Sequence, residues 1–295
     1  MIREENRMEE MHINWYPGHM KKTRELIENN MSIVDVVVEV VDSRIPKSSK
    51  NPDIEKIAGS KPIVILLNKE DLSDERETKK WIDYYKKQNH SVISYNGTTG
   101  DGTKELLQEI KESFAPKLER LQNRGLKDRA IRIMIAGVPN SGKSTLINRL
   151  SKRKSTQTGD RAGVTKGKQW VKLKGNLEML DTPGILWPKF EDQRVALMLA
   201  FTGAIRDEVL DLEEIAFALL NELRGRYGNC LEERYGITID DTLETLEIMD
   251  KIAQKRGFVL RGQEIDYLRT AQAILNDFRE GKLGRITLET PQEQV

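Results

Sequence analysis

The chain has a single cysteine, Cys230, in 295 residues. That excludes an intramolecular disulfide and any zinc cage built from several cysteines. A reducing cytoplasm is the expected compartment, although a secreted protein without disulfides meets the same condition. No run of about 18 apolar residues occurs, so no membrane-spanning helix and no membrane partner are expected. The opening, MIREENRMEEMHINW, is polar and acidic, with no cationic region ahead of an apolar core, and is not expected to be a secretory signal. Internal repeats and low-complexity tracts are absent too. Net charge is almost absent, at +1, but the sum conceals an asymmetry. Residues 190–295 hold 13 Lys and Arg against 21 Asp and Glu, net −8, and the remainder holds 35 against 26, net +9. A positive excess invites polyanions, although a solvated surface carries the same excess with no partner.

What is there centres on residues 131–145, IRIMIAGVPNSGKST. Ile131 to Ala136 reads as a buried parallel strand that stops at Gly137, and a helix restarts after Gly142. Between them lies G-x-x-x-x-G-K-S, Gly137 to Ser144. Two glycines let the backbone curl so that the N–H groups of Asn140, Ser141, Gly142, Lys143, Ser144 and Thr145 face phosphate oxygens, and the helix adds its positive N-terminal end. Lys143 reaches the β and γ phosphates, and the Ser144 hydroxyl ligates Mg²⁺. The bland alternative is a Gly-rich turn with a solvated lysine; a chance match arises in on the order of 1% of such chains.

Along the chain, Ile33–Val41, Pro62–Leu67, Ser91–Ser94, Ile131–Ala136, Gln169–Lys172 and Leu177–Leu180 read as strands. Helical patterns fill Asp53–Ala58, Ser73–Gln88, Thr103–Phe114 and Lys143–Leu150, with residues 115–130 as a basic connector. From about Phe190 onward only helical periodicity remains. The expected fold class is therefore α/β: a mostly parallel six-stranded sheet flanked by helices, followed by a smaller all-α domain. The boundaries are residues 1–12 as an extension, 13–188 for the sheet domain and 189–295 for the helical one.

Three further motifs gain meaning from the first. Asn68-Lys69-Glu70-Asp71 sits at the carboxyl end of a strand, where open α/β sheets bind ligands. The Asp71 carboxylate suits guanine N1 and N2, whereas adenine would leave it unpaired. Asn68 is expected at the other base edge, with the Lys69 stem over the ring. Asn96-Gly97 can place backbone N–H groups on the guanine oxygen. Asp181-Thr182-Pro183-Gly184 follows a strand at the right distance from the phosphate loop; Asp181 would hold Mg²⁺ through water and the Gly184 N–H would sense the γ-phosphate. Thr165 is the natural third Mg²⁺ element, with Thr156 and Thr158 as competitors. A strand-end turn at 68–71 and a chance D-x-x-G are the ordinary alternatives.

The motif order is inverted relative to most GTPases, since the guanine motifs precede the phosphate loop. WYPGHM, NKED, GVPNSGKS, RAGVTKGKQW and DTPGILWPKF resemble the circularly permuted GTPases of the ribosome biogenesis GTPase A family, from about Ile13 onward. The resemblance implies GTP and GDP as ligands with Mg²⁺. It also implies slow intrinsic hydrolysis stimulated by the ribosome, and a monomer that docks on a precursor of the large (50S) subunit through rRNA and ribosomal proteins. Ile185 stands where a water-orienting Gln is usual, and the resemblance points to His19 as the group that positions water. A packed, aromatic-flanked histidine is the alternative. In similar GTPases an Asn at the place of Asn140 binds K⁺; a turn-favouring Asn is the competing reading. The basic stretch Arg149–Lys174 and the cluster Lys251, Lys255, Arg256 and Arg261 are the candidate rRNA footprints. Two other classes stay open: an RNA-binding scaffold that nucleotide merely stabilises, and a P-loop ATPase or kinase, which Asn68–Asp71 argues against.

Overall fold

Valines and isoleucines at successive positions fit a pleated strand covered on both faces, and they form the centre of the sheet. The computed structural model describes residues 25, 27–123, 125, 129–151, 170–173, 175–180, 192–240 and 242–291. Six strands run β1 (Val36–Asp42), β2 (Ile63–Asn68), β3 (Ser91–Tyr95), β4 (Ile131–Gly137), β5 (Trp170–Leu173) and β6 (Leu177–Leu180). Their spatial order is β3-β2-β1-β4-β6-β5, parallel except for the edge strand β5. All six expected strands are present, with ends moved by a few residues at most.

Side-chain alternation along β1 divides the core. Val36, Val38 and Val40 face one layer with Leu106, Ile110, Phe114 and Leu146. Val37 faces the other, with Ile27, Ile54 and Met134, and Val41 joins Trp81 and Tyr85 there. The helices on these faces are α1 (Pro52–Ala58), α2 (Glu75–Lys87), α3 (Thr103–Gln122) and α4 (Lys143–Leu150). The sequence reading ended α3 at Phe114, before a proline. The helix instead runs through Pro116 to Gln122. Pro116 lacks an N–H to donate, but Leu118 and Leu121 beyond it pack on the sheet core, and Lys117 Nζ reaches the buried Asp35 at 3.1 Å.

Among the described residues after the sheet, the α-helices are α5 (Gln193–Phe201), α6 (Leu212–Tyr235), α7 (Thr245–Arg256) and α8 (Tyr267–Arg279). Side-chain caps start three of them: Asp192 accepts from Arg194 N, Asp211 from Glu213 and Glu214 N, and Asp266 from Arg269 N. Their shared core of Leu, Ala, Ile and Phe also takes in two residues of the sheet unit, Ile45 and Val138, both nearly fully buried. Val138 is the first residue after Gly137, so the phosphate loop is wedged into the helical core at its root. Among the described residues no helix is long and apolar enough to cross a membrane.

Candidate nucleotide-binding site

β4 delivers the phosphate loop at its carboxyl end. Gly137 has φ +148°, and a Cβ there would lie 2.4 Å from Val40 O. Gly142 has φ +97°, and its Cβ would meet Asn68 Nδ2 at 2.1 Å. Both glycines are required by close approach as well as by conformation. α4 begins at Lys143, so Ser144 and Thr145 lie exposed in its first turn. Lys143 is folded back and buried, its Nζ donating to Val138 O at 2.6 Å. Burial, with a smaller contribution from the Lys69 charge, lowers its pKa to about 8.

β2 delivers the guanine-reading candidates. Asn68 is buried and its Nδ2 donates to Ser141 O at 2.7 Å. The sequence reading places Asn68 on a base edge; in the structure its amide Nδ2 ties the phosphate loop to the second motif. Its Oδ1 is buried without a partner and faces Gly97, where a Cβ would come within 3.2 Å. Lys69 takes a left-handed φ of 62°, and its ammonium is anchored 2.8 Å from Asp42 Oδ2. Asp71 is exposed on the 3₁₀ turn Glu70–Leu72. Asn96 turns its own loop, accepting from Thr98 N and Thr99 N at 2.8 and 3.0 Å. Asn68, Lys69, Asp71, Asn96, Gly97 and Asn140 to Thr145 therefore gather at one end of the sheet. His19, Thr165, Asp181 and Gly184 lie outside the described residues, as does most of Arg149–Lys174.

Asn140 has φ +58°, a conformation Asn tolerates well, and its Nδ2 donates to Gly203 O in the helical unit. Its Oδ1 is the atom left to act as a cation ligand. Two residues carry more of the site than the sequence reading gave them. Asp42 and Arg44 form a buried bidentate pair at 3.0 and 2.9 Å, from Arg44 Nε and Nη2. Arg44 also donates to the carbonyls of Phe278 and Arg279 at 3.2 and 3.3 Å. The pair with Arg44 and Lys69 holds the Asp42 carboxyl far below the usual range despite its burial. The available signal was an Asp-x-Arg at the end of a strand.

A guanine nucleotide fits this end of the sheet. The cradle is one that a Cβ at Gly137 or Gly142 would obstruct. The helix N-terminus, Lys143 and the exposed Ser144 hydroxyl lie beside it, and Asn68 Oδ1 and Ser141 Oγ are buried without partners.

A phosphate loop in mid-chain, tied to an NKxD-type motif that precedes it, defines a P-loop GTPase with permuted motif order. A family model for 50S ribosome-binding GTPases matches residues 132–252. The chain is 46% identical over 283 residues to ribosome biogenesis GTPase A of Bacillus cereus, covering 96% of this chain and 95% of that one. It is 33% identical to the Thermotoga maritima protein of the same name, over 95% of both chains. The crystal structure of GNP-bound YlqF from T. maritima matches with a TM-score of 0.65 at 30% identity, covering 92% of this chain and 99% of that one. The chain belongs to the ribosome biogenesis GTPase A family. It is a GTPase, and membership implies a guanine nucleotide together with Mg²⁺.

Proposed function

We propose that this GTPase docks on the immature large ribosomal subunit while GTP-bound and leaves after hydrolysis. The observation that carries this reading is the continuity between phosphate loop and helical unit. Val138 packs in the helical core and Asn140 is bonded to Gly203. A change at the phosphates is thereby a change in how the helical unit is held. The domain division at residues 13–188 and 189–295 belongs to the same reading, with the helical part as an rRNA-binding module. Lys255 and Arg261 are exposed there, whereas Arg256 is partly engaged with Asp277 and the Tyr235 ring. In this reading the protein acts in the cytoplasm, as a monomer.

In this mechanism Asp71 reads the base and Gly97 N–H its oxygen, while Asn68 keeps the two loops in register. The loop N–H groups and Lys143 bind the phosphates. Ser144, Thr165 and Asp181 are the residues that would hold Mg²⁺, which would supply neutralisation of phosphate charge. Gly184 N–H senses the γ-phosphate. Ile185 offers no hydrogen bond to water, so His19 orients it and accepts its proton when the ribosome brings the two together. Asn140 Oδ1 would be a ligand for K⁺, which would neutralise transition-state charge there.

Cosedimentation with precursor large subunits is expected to require GTP or a non-hydrolysable analogue. Equal pelleting with GDP, GTP and no nucleotide would sink the coupling and favour a scaffold that nucleotide merely stabilises. GTP turnover is expected to rise with large subunits and with K⁺ over Na⁺, and His19→Ala is expected to lower turnover without weakening binding.

A further inference from the structure

The described chain continues past the last helix of the helical unit. After α8 it turns at Gly281, with φ +74° and a virtual Cβ 2.5 Å from the Leu72 side chain, and runs back across the sheet unit as far as residue 291. This strap makes three bonds to the loop that carries Asp71. Arg285 donates from Nη2 to Glu70 O at 2.8 Å and from Nε to Ser73 O at 2.7 Å, and Ile286 N donates to Leu72 O at 2.9 Å. The carbonyls on both sides of Asp71 are therefore held, although Asp71 itself is exposed. Further along, Asp74 N donates to Thr287 Oγ1 at 3.0 Å, and Leu288 N to Arg44 O at 2.8 Å. The far side of the strap is fixed in the helical unit. Ile286 and Leu288 are buried in its core, and Tyr227 donates its hydroxyl to Thr287 O at 3.0 Å.

A short 3₁₀ turn led by a residue at φ +62° has little cooperativity of its own, so the strap is what over-determines its backbone. We propose that Arg285 and Ile286 are positioning residues for guanine recognition: the strap sets the Asp71 backbone, and with it the discrimination between guanine and adenine nucleotides. This rests on the reading of Asp71 as the base-recognising carboxylate. It goes beyond that reading in assigning base selectivity to a segment more than 200 residues away in sequence. Because the same strap is part of the helical core, occupancy of the helical unit and affinity for the base are linked reciprocally.

The test is titration of the full-length protein with GDP and with ADP. In the unaltered protein GDP should bind far more tightly than ADP; equal affinities would remove the base-reading role of Asp71 itself, before the strap is in question. Arg285 is exposed, so Arg285→Ala should fold. It is expected to weaken GDP roughly tenfold, the scale of a charged hydrogen bond losing its geometry, and to leave ADP unmoved. Arg285→Lys, which keeps the charge and one donor direction, should recover part of the loss. Glu289→Ala is the control. It removes the carboxylate that accepts from Lys47 N and Ser48 N and should lower the melting temperature without changing the GDP-to-ADP ratio. Unchanged GDP affinity in Arg285→Ala, or a parallel loss of GDP and ADP, overturns the proposal. If Arg285→Ala does not fold, an unchanged ratio in Arg285→Lys overturns it equally.

Discussion

The two halves of the molecule bury polar groups in different ways. In the helical unit Thr202 and Thr270 close bonds on carbonyls of the preceding helical turn or cap, Thr245 meets Asn221 and Arg224, and Asp277 is ringed by Arg234, Arg256, Lys282 and Tyr235. Among the described residues every buried side-chain atom without a partner lies in the sheet unit, including Asn68 Oδ1, Ser141 Oγ and Glu39 Oε2. Burial of an unpartnered polar atom costs about 1–3 kcal/mol. Where such atoms converge on one end of a sheet, beside a glycine cradle and a lysine without a carboxylate partner, the cost is the mark of a site completed by ligand. The saturated network around Asp277, by contrast, contributes only to the fold.

The largest expected difference between the halves is in their ion pairs. Asp42→Ala strands Arg44 and Lys69, with the Arg44 side chain only 2% exposed, and is expected to cost about 3–5 kcal/mol in urea unfolding. Asp277→Ala faces partners whose side chains are 29% and 34% exposed in Arg234 and Arg256, and is expected to cost about 1–2 kcal/mol. Equal losses would break the contrast.

Next in size is Glu39, buried in the central strand β1 with one oxygen accepting from Asn51 N at 2.7 Å. Burial raises its folded pKa from 4.5 to about 7, against the pull of Lys50. A carboxyl raised in this way keeps its proton in the folded state while the unfolded chain loses its own, so stability falls as pH rises through that window. The loss reaches roughly 3 kcal/mol at and above neutral pH. Glu39→Gln keeps the acceptor and removes the titration. It should raise the unfolding midpoint at pH 8 and leave it unmoved at pH 4. A lower midpoint at pH 8 would mean that Lys50 holds Glu39 ionised.

Strands were legible because β-branched runs in a doubly covered sheet leave an unambiguous pattern, and the motifs were legible because their spacing is set by a phosphate. Long-range relations were not. Nothing in Arg285-Ile286-Thr287 marks it as a strap over residues 70–74, since the groups it reaches there are all backbone groups, which every sequence carries. The bond of Asn68 to Ser141, 73 residues away, is likewise invisible in the motif alone. The helical run past Pro116 was hidden because proline weighs locally against a helix, whereas the contacts of Leu118 and Leu121 that favour it come from the sheet.

The smallest effect sharpens the difference between the two lysines of the site. Lys69 and Lys143 are both mostly buried, and burial lowers the pKa of each, but Lys69 has the Asp42 carboxylate to offset it. Lys143 has only the Val138 carbonyl, and its pKa falls to about 8. A triphosphate beside Lys143 restores a counter-charge and draws its pKa back up, so binding takes up a proton wherever the free protein has lost it. GTP affinity should therefore fall as pH rises past about 8, by about fourfold between pH 7 and 8.5. Titration calorimetry in buffers of different ionisation enthalpy should show proton uptake growing over the same interval. A flat affinity with no proton uptake would mean that Lys143 stays charged in the free protein. It would then have a compensating partner, as Lys69 has in Asp42.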